Sequence, residues 1–190
     1  MDKSDYSSEE KKQLLTLARK TIEAELKKTH DKTEMLSGLS EKFKEIRSCF
    51  VTLHNADGSL RGCIGNIQAF EPLVDNVINN ALNSAFNDYR FNQVVSLEEL
   101  ADLVIEISVL TPMEDVSSYE DFIVGEHGVV LLKNGRSAVF LPQVAPEQHW
   151  DRDTTLRHLS MKAGLSPDAW MEPDAQFKVF RAIVFSETEF

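Results

Sequence analysis

This chain of 190 residues holds only two cysteines, Cys49 and Cys63. That is too few for a disulfide scaffold or a four-cysteine zinc site, and no CxxC pair occurs. A single Cys49–Cys63 bridge is compatible with the count, but the rest of the sequence points to an intracellular chain with reduced thiols. No stretch approaches the ~18 apolar residues that suggest a membrane span. The start, Met1-Asp2-Lys3-Ser4-Asp5, has no apolar segment following a basic one. It is therefore not read as a signal peptide, and a soluble, cytoplasmic protein is expected. Positive charge is scarce as well: 20 Lys and Arg stand against 31 Asp and Glu, a formal net charge of -11. Such a surface repels phosphate backbones, which argues against nucleic acid or an anionic membrane as the main partner. Neither a P-loop nor a GxGxxG fingerprint occurs, so the residues name no nucleotide cofactor.

What is present is an ordinary globular composition with clear local signals. Hydrophobic residues make up 42% and charged residues 27%, enough for one domain over residues 1–190 with a substantial core. Ser7-Ser8-Glu9-Glu10 reads as a capping box opening a helix to about Lys28. Leu15, Ala18, Ile22 and Leu26 give that helix one apolar stripe. The polar stretch from Thr29 to Ser40 reads as a loop. Ser48 to His54 has strand character, Asp57-Gly58 signals a hairpin turn, and Ser59 to Gly65 is the returning strand. Gly62 and Gly65 inside that strand mark a bulge or a close backbone approach. Pro72 opens a helix to about Asp88, with Leu73, Val77, Ala81 and Ala85 on one side and Val74, Ile78 and Leu82 widening the stripe.

Further on, Leu97 to Leu100 predicts a short helix. Leu103 to Leu110 predicts a central strand, apolar on both faces. Val129 to Lys133 and Ser137 to Leu141 flank Asn134-Gly135, the clearest hairpin in the chain. Asp153 is expected to cap a helix ending at Gly164, and Phe177 to Phe185 to form a last strand. Hairpins mixed with separate helices predict an α+β fold, mostly antiparallel, with flanking helices.

The segment Leu60-Arg61-Gly62-Cys63-Ile64-Gly65 matches without substitution the six-residue signature of the AMMECR-type domain, also called AmmeMemoRadiSam system protein A. Other elements follow in order. Asn87-Asp88-Tyr89-Arg90-Phe91 resembles the family's Asp-x-Arg-Phe element, and Ile107-Ser108-Val109-Leu110-Thr111 its central strand. Val124-Gly125-Glu126-His127-Gly128 resembles its Gly-x-His-Gly turn. Leu141-Pro142-Gln143-Val144, Trp150-Asp151 and Lys162-Ala163-Gly164 complete the series. The resemblance covers roughly Phe50 to Phe185. It implies two lobes of antiparallel sheet and helices, with a cleft where the signature residues gather. It also implies association with Memo-type and radical S-adenosylmethionine proteins. It supplies no established reaction, and the chain lacks the three-cysteine cluster motif of the radical enzymes.

Among residues with chemistry, Cys63 leads. A thiolate there would be a strong nucleophile, and flanking glycines could leave its sulfur and neighbouring amides open to a small-molecule or protein substrate. Arg61, two residues earlier on the same strand face, would favour a thiolate or bind a carboxylate or phosphate. The plainer alternative is a small packed residue beside a bulge. His127, with Glu126 or a backbone carbonyl setting its tautomer, could act as acid and base, or be a turn residue bonded to the backbone. Asp88 and Arg90 could contact substrate, as could Gly62 and Gly65, or the two charges could form an ion pair fixing a helix end. Lys162 reads as a cation at a helix C-terminus. Trp150 and Trp170 read as core or interlobe aromatics. His30, His54, His149 and His158 read as surface or structural. Cys63, His127 and a carboxylate would suffice for a zinc site, but nothing in their spacing demands one, and no metal is assigned.

Overall fold

A computed structural model describes residues 6–29, 33–94 and 96–190. In chain order the elements are α1 (Ser8–Lys27), α2 (Thr33–Leu36), β1 (Cys49–His54), β2 (Leu60–Gly65), α3 (Leu73–Leu82), α4 (Leu97–Asp102) and β3 (Val104–Leu110). There follow β4 (Glu114–Val116), β5 (Gly128–Lys133), β6 (Arg136–Phe140), α5 (Val144–Glu147), α6 (Arg152–Lys162), β7 (Gln176–Phe180) and β8 (Ala182–Ser186). They form an α+β fold with two four-stranded sheets, ordered β2-β1-β3-β8 and β4-β7-β5-β6. All the pairings given below are antiparallel. The chain divides into two compact units, Met1–Leu110 with Ile183–Phe190, and Thr111–Ala182.

In the first unit the capping box closes as expected. Ser7 Oγ accepts from the Glu10 N–H, and the Glu10 carboxylate accepts from the Ser7 N–H. The apolar faces of α1 (Leu14, Leu15, Leu17, Ala18, Ile22) and α3 (Leu73, Val77, Ile78, Ala81) share one core with Val51 and Leu53 of β1 and Ile105, Ile107 and Val109 of β3. Strand β1 pairs with β2 on one side and with β3 on the other, so β3 is an interior strand and β2 an edge. Because side chains alternate along a strand, the core face holds Val51, Leu53 and Gly62. The opposite face holds Thr52 beside Cys63 and, across β1, Glu106.

In the second unit β5 lies between β6 and β7, and Val129, Leu131, Phe177 and Val179 meet Leu156, Leu159 and Trp170 in a smaller core. Asn134 and Gly135 both take positive φ, 52° and 73°. That is the backbone of a two-residue primed turn, which is why this dipeptide signals a hairpin so well.

Four expectations need correction. The stretch from Thr29 to Ser40 contains the short helix α2. The helix after Pro72 stays regular only to Leu82 and then widens into a π-turn over Asn83–Asn87. The cap of α6 is Asp151, whose Oδ1 accepts from the Thr154 N–H at 2.8 Å, rather than Asp153. The last apolar run is two strands, β7 and β8, in different sheets. The break falls at Arg181, whose N–H and C=O bond the hydroxyl and N–H of Thr111.

Candidate functional site

The edge strand β2 gathers most of the singled-out residues, and each has a definable local job. Gly62 is where the π-turn presses on the strand: a Cβ there would meet the Ser84 carbonyl oxygen at 2.3 Å. At Gly65 a Cβ would run into the Phe50 ring at 2.3 Å. Both glycines are thus demanded by packing, the close approach that their position suggested. The buried Ser84 hydroxyl enters the ladder itself, donating to the Val51 C=O at 2.6 Å and accepting from the Ile64 N–H at 2.9 Å.

Cys63 lies at the next position, half-buried. Its N–H donates to Asp88 Oδ2 at 2.9 Å, and its C=O accepts from Arg90 Nη2 at 3.0 Å. The amide is therefore occupied, not open as the flanking glycines suggested. The sulfur accepts from the Thr52 hydroxyl at 3.3 Å. Asp88 and Arg90 face each other in a forked pair, Nε to Oδ1 at 2.9 Å and Nη2 to Oδ2 at 2.7 Å. The Asp88 side chain is 1% exposed and that of Arg90 45%. The guanidinium is the main influence holding the Asp88 carboxyl well below the usual carboxylate range, with the Cys63 N–H adding to it against the cost of burial. The same contact raises Arg90. An ion pair was one of the two expectations for these residues. It fixes more than a helix end: it caps the open edge of β2 at Cys63, blocking the addition of another strand there.

Arg61 points its fork at Glu99, with Nη2 at 2.6 Å and Nε at 3.1 Å from Oε1, and donates through Nη1 to the Asn92 C=O at 2.7 Å. An open depression of about 760 Å3 is lined by Arg61, Tyr89, Arg90, Phe91, Asn92, Gln93 and Glu99. Arg61, Cys63, Asp88 and Arg90 thus come together in the first unit, with both glycines.

His127 belongs to the second unit, just before β5. Its Nδ1 accepts from the Ile123 N–H at 3.2 Å, which leaves the proton on Nε2. A backbone donor, rather than Glu126 or a carbonyl, sets the tautomer, while Glu126 approaches Arg181 at 3.4 Å. Gly128 beside it makes room for the ring of Phe180.

Other residues take quieter places. Cys49 is fully buried, its thiol pushed up to about 12 by desolvation. Lys162, in the last turn of α6, donates to the Val139 C=O and lies over the Phe140 ring. Trp170 is buried, and Trp150 stacks on His158 with ring centres 4.0 Å apart. His54 lies 3.9 Å from Glu106, and His149 takes a positive φ of 55°. His30 falls outside the described residues. Among the described residues no three His, Cys, Asp or Glu side chains cluster as a metal site, and no helix is long and apolar enough to cross a membrane.

Sequence reasoning missed Thr52, Ser84, Tyr89, Asn92, Gln93 and Glu99. Ser84 left a faint trace, a small polar residue three positions after Ala81 on the buried face of a helix. Nothing near Glu99 marks it as the partner of Arg61.

The chain is thus an α+β domain whose edge strand β2 is clamped by an Asp–Arg pair. The family model for AMMECR1 matches residues 15–185, and the chain belongs to that family. A protein of Methanopyrus kandleri is 38% identical over 191 residues, spanning 95% of this chain and 90% of its own. A protein of Saccharolobus islandicus is 36% identical, spanning 92% of this chain and 80% of its own. The crystal structure of an uncharacterized protein from Pyrococcus horikoshii superposes with a TM-score of 0.81 at 36% identity, covering 95% of this chain and 93% of that one.

Proposed function

We propose that this chain is a substrate-handling protein that uses Cys63 as a nucleophile or covalent carrier in group transfer or hydrolysis. Arg61 and Arg90 hold an anionic part of the substrate. The observation that carries this is the setting of Cys63: its peptide is clamped on both sides while its half-buried sulfur receives a hydroxyl hydrogen bond from Thr52. That contact holds the sulfur beside Thr52, on the face of the sheet away from the core. The thiolate adds to an electrophilic carbon and expels a leaving group, which departs with a proton. Water or a second acceptor then takes the bound group and returns the thiol.

Alkylation of the native protein with iodoacetamide, followed by peptide mass spectrometry, tests the nucleophile. Cys63 reacts first, Cys49 is protected by burial, and Thr52→Val slows the reaction at Cys63. Equal labelling of both cysteines would remove the chemical basis of the proposal. The acid–base role of His127 is part of the same reading and is tested apart from it. Loss of activity in His127→Ala with thermal stability kept supports that role. Loss of both together returns the histidine to its turn.

A further inference from the structure

We propose that the depression beside Arg61 and Arg90 receives an acidic segment of a partner protein. A carboxylate sits at the Arg90 guanidinium, and an apolar side chain of the partner covers Tyr89 and Phe91. The inference rests on the reading of this edge as a ligand-binding edge and names the ligand; it does not require Cys63 to react.

Tyr89 is 93% exposed, the largest exposure among the large hydrophobic side chains of the described residues. It is nevertheless held on a pinned turn. Asp88 before it is locked to Cys63 and Arg90, and the Phe91 N–H donates to the Asp88 C=O at 3.0 Å, closing the turn beneath it. The ring makes no ring contact, and its hydroxyl no hydrogen bond, among the described residues. An aromatic side chain carried out into water on a rigid turn does nothing for the core, but it loses little freedom when a partner covers it. Tyrosine and arginine are the residues over-represented where protein interfaces concentrate their binding energy.

The charge is suited to an acid. Arg90 spends Nε and Nη2 on Asp88 and Cys63, and its Nη1 has no hydrogen bond among the described residues. Its guanidinium lies over the Phe91 ring at 5.4 Å, so the free N–H groups stand beside an apolar surface. Asp88 is buried behind the pair, leaving Arg61, Arg90 and Glu99 as the charges that line the depression. Glu99 offsets Arg61, so the two arginines and one glutamate leave one net positive charge, at Arg90, within a chain of net charge -11.

A protein fits better than a small molecule. The depression is open and Tyr89 stands out of it, so a small ligand would leave most of the ring in water. Phe91 lines the depression beside Tyr89 and adds a second ring to the surface that a protein side chain can cover. Recognition is through side chains, because the N–H and C=O of Cys63 are already bonded and a strand cannot add across that point.

The test is selection from a random-peptide phage library on the wild-type protein, counter-selected on Tyr89→Ala. That variant folds normally, since the ring is in water. Enriched peptides are expected to carry Asp or Glu beside Phe, Leu or Tyr. Synthetic versions read by fluorescence anisotropy should lose about tenfold in affinity on Tyr89→Ala. A similar loss is expected when Gln replaces the peptide's Glu, and binding should weaken with salt. Cys63→Ala should bind as wild type, so failure of the thiol chemistry and failure of docking are told apart. Absence of enrichment, peptides without acids, or equal binding by Tyr89→Ala overturns the proposal. Displacement by succinate or phosphate regardless of Tyr89 marks a small-anion site instead. A dimer abolished by Tyr89→Ala gives the surface to a second copy of the chain.

Discussion

The two units place their buried polar groups differently. In the first, most of these groups tie separate elements together, apart from Thr21, which bonds the Leu17 C=O one turn back in α1. Asn76 and Asn80 reach from α3 to the N–H and C=O of Cys49. Ser84 and Asp88 reach β2, and the part-buried Arg19 of α1 bonds the carbonyls of Leu100 and Leu103 and the carboxylate of Glu187. In the second unit the buried hydroxyls stay at home: Thr155 bonds the Asp151 C=O and Ser160 the Leu156 C=O, each one turn back along its own helix. His127 bonds within its own turn. Lys133 is the exception, and its partners Glu172 and Asp174 are more than half exposed. A bridging polar group inside a protein is costly when its partner is lost, because the remaining group stays buried and unpaired. Such groups hold a strand in one geometry, and in the first unit Ser84 and Asp88 do so at β2.

The comparison predicts that Asp88→Ala has the largest effect. It strands the Cys63 N–H and the Arg90 guanidinium, and a loss of about 2–3 kcal/mol is expected in denaturant unfolding, moderated because Arg90 is half in water. The pH dependence carries a sign. The Asp88 carboxyl is lowered in the folded state, so its contribution is present above an ordinary carboxylate pKa of about 4 and fades as pH falls toward the folded value. The stability gap between wild type and Asp88→Asn should therefore narrow in acid. A gap that stays constant with pH would mean that the charge of Asp88 is not what clamps the edge.

Ser84→Ala comes next. Removing the inserted hydroxyl leaves the Val51 C=O and the Ile64 N–H without their shared partner, for a loss of roughly 1–3 kcal/mol. The Ile64 amide should also exchange faster with solvent, as hydrogen exchange would show. Unchanged exchange would show that β1 and β2 close directly on one another once the hydroxyl is gone. The smallest effect belongs to Ser160→Ala, within about 0.5 kcal/mol by thermal unfolding, because a hydroxyl bonded back to its own helix adds little. A loss as large as that of Ser84→Ala would erase the distinction between the units.

Several of these features were legible in the residues. Ser7 with Glu10, Asp57-Gly58 and Asn134-Gly135 each carry their chemistry within four positions, and each lies where it was expected. So did the apolar faces of α1 and α3, whose periodicity is local. Strand β4, three residues of Glu-Asp-Val, has no alternation to betray it and exists by pairing with β7. The run from Phe177 to Phe185 reads as one strand because nothing in its composition marks Arg181, and it is Thr111, seventy positions away, that divides it.

At the candidate site the division falls in the same way. The types of residue on β2, and their resemblance to a family signature, were readable because side-chain identity and spacing are properties of the chain. A rigid strand offering a glycine-flanked cysteine beside an arginine follows from six consecutive letters. What those groups do depended on partners brought from elsewhere. Asp88 takes the Cys63 amide, Glu99 takes Arg61, Thr52 reaches the sulfur, and Ser84 accounts for Gly62. A hydrogen bond acts only over about 3 Å, and groups that far apart in space can be tens of residues apart in sequence. The sequence therefore determined which donors, acceptors and turns were available, and only the folded arrangement decided how they were paired and which of them, Tyr89 above all, were left facing water.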